Sequence, residues 1–453
     1  NYFKELHKRT FESLYEWAGV FRDFNMAKGD SRFCQGAYVQ NESKKIFESL
    51  KKENYLKDFE NKSKEEFAKK LAYFQKLVEM GFKEIEIAYP SASQTDFDFC
   101  RALIEQKLIP EDVRISVLTP SIEKHIKKTF QAIKGAKRVT IHLYNPTADN
   151  QRKIVFNKSK EEIITLALEG TRIIKEEAEK FKGDVMFQYS PESFSQTELE
   201  FARDVVNAVI IEWMPTKNAP MVINLPNTLE ACTPNIYADR IEWMSKQMLE
   251  RDAVILSVHP HNDRGTAVAS AEMAILAGAQ RVEGTLMGNG ERAGNVDLVT
   301  LAFNLYSQGI DPMLDVHNID AVLQEIITLT HSTIHPRHPY VGSMIYTAFS
   351  GTHQDAIKKG MEHQKDVLDG YWHVPYLIID PKDIKRDYRD VVRINSQSGK
   401  SGVAYVLKEF YGIETTKTMQ IEIATEVQKL CDEKGIEVNA EEIFKVFRQM
   451  CKL

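Results

Sequence analysis

The sequence predicts an α/β protein: a TIM-type (β/α) barrel one strand short, with a helical segment before it and helical subdomains after it. Three observations predict this. Short β-branched or apolar runs recur between about residues 76 and 305, each followed by a helix-like stretch, which is the pattern of parallel strands covered by helices. Seven such runs can be counted, where a closed barrel of this type has eight. Flanking this region on both sides are segments with helical spacing and no run that reads as a buried strand.

The elements follow in order. Residues 1–75 form the first segment, rich in aromatics, Lys and Glu; Leu6, Phe11, Leu14 and Trp17 recur at helical spacing, and so do the apolar positions between Asn41 and Lys70. Gly29-Asp30-Ser31 is a loop. The strands expected in the barrel region, 76–305, are Glu84–Ala88, Arg114–Leu118, Arg138–Leu143, Asp184–Tyr189, Met221–Leu225, Val254–His259 and Arg281–Leu286, with helices such as Ser121–Lys134 and Lys160–Lys180 between them. Residues 306–453 are helical and polar, with a turn at Asp380-Pro381-Lys382-Asp383, a flexible loop at Asn395–Gly402, and closing helices near Met419–Lys434 and Ala440–Cys451.

Composition narrows the function. The 453 residues carry a net charge of −6, so no global basic field argues for nucleic acid. No apolar run approaches the roughly 18–20 residues of a membrane helix. The five dispersed cysteines include no CxxC pair and read as reduced thiols, which places the protein in the cytoplasm. The first residue is Asn1, so the sequence can start inside a longer reading frame.

The chemistry concentrates at the ends of the expected strands. His259 and His261 lie two positions apart where Val254–Val258 ends; residues i and i+2 of a strand face one side, so both imidazoles can reach one divalent ion. Barrel active sites lie at that strand end. After the next strand, Gly288-Asn289-Gly290-Glu291-Arg292-Ala293-Gly294-Asn295 lets backbone approach a ligand closely. Asn295 can offer an oxygen to a metal or its water, and Glu291 and Arg292 can pair or orient a carboxylate. His142 and Glu192 close two earlier strands; Glu192 can take a proton or hold a water, while a helix-terminal role is its structural alternative. Thr228, after Asn224-Leu225-Pro226-Asn227, can donate to a substrate carboxylate.

From Gly81 onward these residues resemble 2-isopropylmalate synthase, in the long form of actinobacteria and fungi. The matching stretches are Pro90–Phe99, His142–Asn145, Tyr189–Ser193, Asn224–Pro226, His259–Gly265, Gly288–Asn295, Gly351–Asp355 and Asn395–Gly399. Homocitrate and citramalate synthases share the HxH and GNGERAGN elements, whereas Ser91–Phe99 and His353–Asp355 favour isopropylmalate synthase. The resemblance implies a Claisen condensation of acetyl-CoA with 3-methyl-2-oxobutanoate, in leucine biosynthesis. It also implies a divalent metal (Mg, Mn or Zn) held by His259 and His261 with Asn295 beside it, a substrate pocket lined by Glu192, His142 and Thr228, and a homodimer. His353 and Tyr376 would reach the neighbouring subunit's barrel. Chemistry alone leaves the base open among Glu192, His353 and Tyr376.

Two departures accompany the resemblance. The family's first strand, with a DLRDGNQ-like motif that supplies the metal's carboxylate ligand, has no counterpart here, in agreement with the count of seven strands. The family's C-terminal leucine-sensing domain is also without a counterpart, which implies no feedback through it. Residues 1–75 instead resemble the front of a Fic domain through Leu6–Phe11 and Leu14–Gly19, without its HPFxxGNGR motif. A truncated Fic-type AMP transferase and a non-catalytic fusion chain are therefore the alternatives to the acyltransferase.

Overall fold

A computed structural model of the chain describes residues 27–28, 31–32, 64–346, 350–367, 370–386, 400–434 and 438–451. The Fic-like stretches and Asn395–Gly399 lie outside these residues. Ala27–Lys28 and Ser31–Arg32 pair antiparallel.

Seven strands form one sheet in sequential order: β1 Glu84–Ala88, β2 Arg114–Pro120, β3 Arg138–Pro146, β4 Asp184–Glu192, β5 Met221–Asn227, β6 Val254–Pro260 and β7 Arg281–Val282. All six neighbouring pairs are parallel. Connecting helices are α1 Lys64–Glu79, α2 Gln94–Glu105, α3 Glu123–Ala132, α4 Lys160–Lys180, α5 Leu199–Trp213, α6 Pro234–Gln247, α7 Ala267–Leu276 and α8 Leu298–Ser307. Their starts are chemically marked. Ser93 caps α2 by accepting from Asp96 N, and Ser159 and Glu162 form a reciprocal capping box on α4. Pro234 opens α6.

The strands alternate two faces. Ile115, Val117, Val139, Ile141, Leu143, Phe187, Tyr189, Ile223, Leu225, Leu256 and Val258 are fully buried on the helix side, against residues such as Phe99, Leu103, Ile126 and Val205. Each such side chain contributes roughly 1.5–3 kcal/mol by leaving water. Positions of the opposite parity face the lumen, and the polar ones among them, Glu84, Glu86, His142, Gln188, Ser190, Asn224, Ser257, His259, Arg281 and Glu283, join one another there.

Several expected strand ends shift. Strands β2, β3, β4 and β5 run two or three residues further than expected, so His142 lies inside its strand and Glu192 ends its own. Strand β7 stops at Val282 instead of Leu286, because Gly284 packs on the Val296 backbone. Thr285 then trades bonds with the returning chain, Thr285 N to Val296 O at 3.1 Å and Leu298 N to Thr285 O at 3.0 Å.

The chain divides into two compact units, one comprising 1–304, 311–315 and 326–332, the other 305–310, 316–325 and 333–453. Helix α9, Ile319–Thr330, spans the division. The second unit contains α10 Gly351–Gln364, α11 Lys400–Tyr411, α12 Lys417–Lys434 and α13 Ala440–Met450. The last three pack around Leu407, Val427, Ile443 and Phe447, with Tyr411 stacked on Phe444 at 4.0 Å. Partly buried Arg386 ties this unit together, donating to Gly342 O at 2.7 Å and pairing with Asp320 at 2.9 Å. Among the described residues, no helix is long and apolar enough to cross a membrane, and the described Cys100, Cys232, Cys431 and Cys451 are free thiols.

Candidate functional site

The C-terminal end of β6 brings His259 and His261 to one place. Their rings are edge to face with centroids 5.1 Å apart. The 288–295 loop folds over them: His259 Nε2 lies 2.9 Å from Asn295 Oδ1, and Val296 N donates to Pro260 O at 2.8 Å. That loop needs its glycines. Gly294 has φ +92°, and a Cβ there would collide with the Gly288 carbonyl oxygen.

Each imidazole is fixed by its other nitrogen. His259 Nδ1 faces Glu283 Oε2 at 3.3 Å, and His261 Nδ1 lies 2.6 Å from the Thr228 carbonyl oxygen. Burial works against charge on His259, but the Glu283 carboxylate outweighs it and raises its pKa. Burial lowers the pKa of His261, and the neighbouring His259 lowers it further. Burial also works against charge on Glu283, yet Arg281 and His259 hold it ionised, well below the usual carboxylate range.

A second cluster lies in the lumen. His142 bridges Glu86 Oε2 at 2.8 Å and Ser190 Oγ at 2.7 Å, and Asn224 Nδ2 donates to the same Ser190 at 2.9 Å. Glu86 of this cluster also contributes to raising the His259 pKa, which links the two clusters. Thr228 ties two loops: its Oγ1 accepts from Ser193 N at 2.9 Å, and its carbonyl also accepts from Arg292 at 2.5 Å. Glu192 is largely buried at the end of β4, and burial raises its pKa against a lowering hydrogen bond from Gln151.

Arg292 takes Asp263 as its partner, at 2.8 Å; the adjacent Glu291 is 90 % exposed and 3.9 Å away. Arg292 holds Asp263 at a pKa of about 2. His353 and Tyr376 lie in the second unit, where their rings stack at 4.1 Å. Tyr376 is exposed and sits at φ +65°.

Sequence reasoning missed Glu283, Glu86, Ser190 and Asp263. Glu283 had a usable signal, since it continues the parity of Arg281 beside the strand that carries His259.

The donor set is two imidazole nitrogens plus an amide oxygen. Glu283 turns the His259 ring from its far side, as carboxylates orient metal-binding histidines, whereas His261 Nδ1 meets both the Thr228 carbonyl and the Arg292 guanidinium at 2.6 Å. The residues present therefore fit a borderline divalent ion such as Zn. Among the described residues, no group of three His, Cys, Asp or Glu side chains is placed to hold an ion, so this donor set lacks a carboxylate from them.

The HMGL-like family matches residues 58–326, and the post-catalytic domain of α-isopropylmalate synthase matches 343–408. A 2-isopropylmalate synthase of Cupriavidus taiwanensis is 52% identical over 383 residues, covering 84% of this chain and 67% of that protein. One from Azoarcus sp. is 53% identical, covering 84% and 66%, and one from Clostridium acetobutylicum 50%, covering 84% and 69%. The chain thus spans about two thirds of the length of these relatives. Among solved structures, hydroxymethylglutaryl-CoA lyase from Pseudomonas aeruginosa is similar at 17% identity and TM-score 0.47, over 59% of this chain and 87% of that one.

Proposed function

The chain belongs to the 2-isopropylmalate synthase family, with an HMGL-like barrel of TIM type, and from that premise we propose that its barrel mouth condenses acetyl-CoA with 3-methyl-2-oxobutanoate. The products are 2-isopropylmalate and CoA. The observation that carries this reading is the convergence of His259, His261 and Asn295 at the rim of β6.

Residues 76–305 serve as the catalytic domain and 306–453 as helical subdomains of a cytoplasmic homodimer. His259, His261 and Asn295 would hold a divalent cation, Mg, Mn or Zn. When bound, the ion supplies Lewis acidity to a 2-oxo acid. Glu283 fixes the His259 ring from behind and offsets charge gathered in front of it. His142, held between Glu86 and Ser190, and Thr228 border the pocket for the oxo acid. The chemistry also requires a base for the acetyl methyl group and a water to release CoA. Glu192 suits the proton transfer, because burial raises its pKa toward the working range. His353 and Tyr376 belong to the same proton-handling set, reaching the neighbouring subunit's barrel.

Release of CoA thiol, followed with DTNB, tests this. The expected result is release that needs both the oxo acid and a divalent ion and is lost in His259→Ala and His261→Ala. Release independent of the oxo acid refutes the condensation. Because the described donors include no carboxylate, we expect metal affinity and turnover to be low for this family.

A further inference from the structure

Glu192 ends β4 with the lumen-facing parity of Gln188 and Ser190, and the residue after it is strained. Ser193 is buried and left-handed, at φ +62° and ψ +35°, a conformation an L side chain keeps only where its surroundings hold it. With the chain fixed on both sides, relaxation of φ at Ser193 rotates the peptide that joins it to Glu192.

Three threonines from three loops hold this turn. Thr228, after β5, accepts from Ser193 N through its hydroxyl oxygen. Thr197, after β4, donates its hydroxyl to Ser193 O at 2.9 Å. Thr147, after β3, donates its backbone N–H to Glu192 O at 3.1 Å, and its hydroxyl lies 2.7 Å from Thr197 Oγ1 and 3.1 Å from Glu192 O. Thr197 has given its only proton to Ser193, so the Thr147 hydroxyl donates onward to Thr197 Oγ1 and Glu192 O. Thr147 and Thr197 are closed to water, so no solvent molecule replaces either hydroxyl. The β3–α4 loop grips the side chain as well: Gln151 hydrogen-bonds the Glu192 carboxyl, and Arg152 fixes the loop by donating to Thr147 O at 2.7 Å.

We propose that Thr147 and Thr197 are positioning residues for Glu192: their hydroxyl pair holds Ser193 left-handed and so keeps the Glu192 carboxyl buried beside Gln151. The effect on turnover rests on the reading of Glu192 as the proton-transfer group; the placing of the carboxyl does not.

The test uses the full chain with 13C at the glutamate carboxyl carbons, the Glu192 signal being the one lost in Glu192→Gln. That carboxyl should titrate above the ordinary range, because burial raises it; Tyr144, which faces it, stays neutral through its own burial. In Thr197→Val, which keeps the shape and removes the hydroxyl, its pKa should fall by at least about half a pH unit as the turn relaxes toward solvent. Thr147→Val is the milder variant, since the bond from Thr197 to Ser193 survives, and should move it the same way. The two Thr→Ser variants keep the hydroxyls and should leave it in place. Ser193→Gly should restore most of the shift lost in Thr197→Val, because glycine is left-handed without help. In CoA release, Thr197→Val should lower kcat about tenfold with KM for the oxo acid within about twofold. A Glu192 titration unmoved in both valine variants, serine variants as altered as the valine ones, or no rescue by Ser193→Gly overturns the proposal. A moved titration with unchanged CoA release upholds the clamp and refutes Glu192 as the proton-transfer group.

Discussion

Gly294→Ala separates the site from the fold. Gly294 has φ +92°, a conformation that costs an L residue about 1–2 kcal/mol. The new Cβ also lands on the Gly288 carbonyl oxygen, and backbone cannot swing aside as a side-chain tip can. Together these place the cost at about 2–4 kcal/mol, met by opening the 288–295 loop. The loop carries Asn295, whose Oδ1 is 2.9 Å from His259 Nε2, so opening removes the amide oxygen from the imidazole pair. Divalent-ion affinity, measured by competition with a chromophoric chelator, should fall roughly 10–100-fold. The barrel's circular dichroism should persist. Gly265→Ala is the control: φ is +75°, but nothing lies within 4 Å of its Cβ. It should cost about 1 kcal/mol and leave metal affinity within twofold. Equal loss of affinity in both variants would refute the argument from the Asn295 loop.

Glu198→Gln tests the pedestal of the β3–α4 loop. Arg152, 4% exposed, donates to both Glu198 oxygens at 3.0 and 2.8 Å and lies over Phe201. The Arg152 hydrogen bonds hold the Glu198 pKa at about 2 against an ordinary 4.5, so its stabilisation is present above about pH 4.5 and is lost as pH falls toward 2. The full shift would be worth about 3 kcal/mol. With Glu198 38% exposed, screening leaves roughly 1–2. Urea titrations should show that deficit at pH 7 and only about a quarter of it at pH 2.5. Mixing inactive His259→Ala and His353→Ala chains should restore about a quarter of wild-type CoA release, since half the dimers are mixed and each has one intact site; no recovery would assign His353 to its own subunit's site or to none. Glu192→Gln should lower CoA release at least 100-fold while metal affinity stays within twofold.

The strand pattern was legible because helix-facing positions are apolar on every strand. Ile115, Val117, Val139, Ile141 and Leu143 announce their strands by period two. The lumen was less legible. Arg281 and Glu283 carry charge on a short strand with no local signal of burial, yet they face inward and satisfy Gln188, Ser257 and His259. The pairing of His259 with His261 could be read from spacing, since i and i+2 share a face. Asp263 as the partner of Arg292 could not, because it joins two loops 29 residues apart that meet only once β6 and β7 are side by side. Strand β7 ended early for a similar reason: Gly284 makes room for the returning Val296, a contact absent from any local pattern.

The most direct measurement is X-ray absorption on the zinc-loaded chain, with His259→Ala and His261→Ala beside it. The account predicts two imidazole nitrogens at about 2.0–2.1 Å and an oxygen shell in the wild type, with one imidazole lost in each variant. A spectrum without imidazole scattering, or one that neither substitution changes, would contradict it.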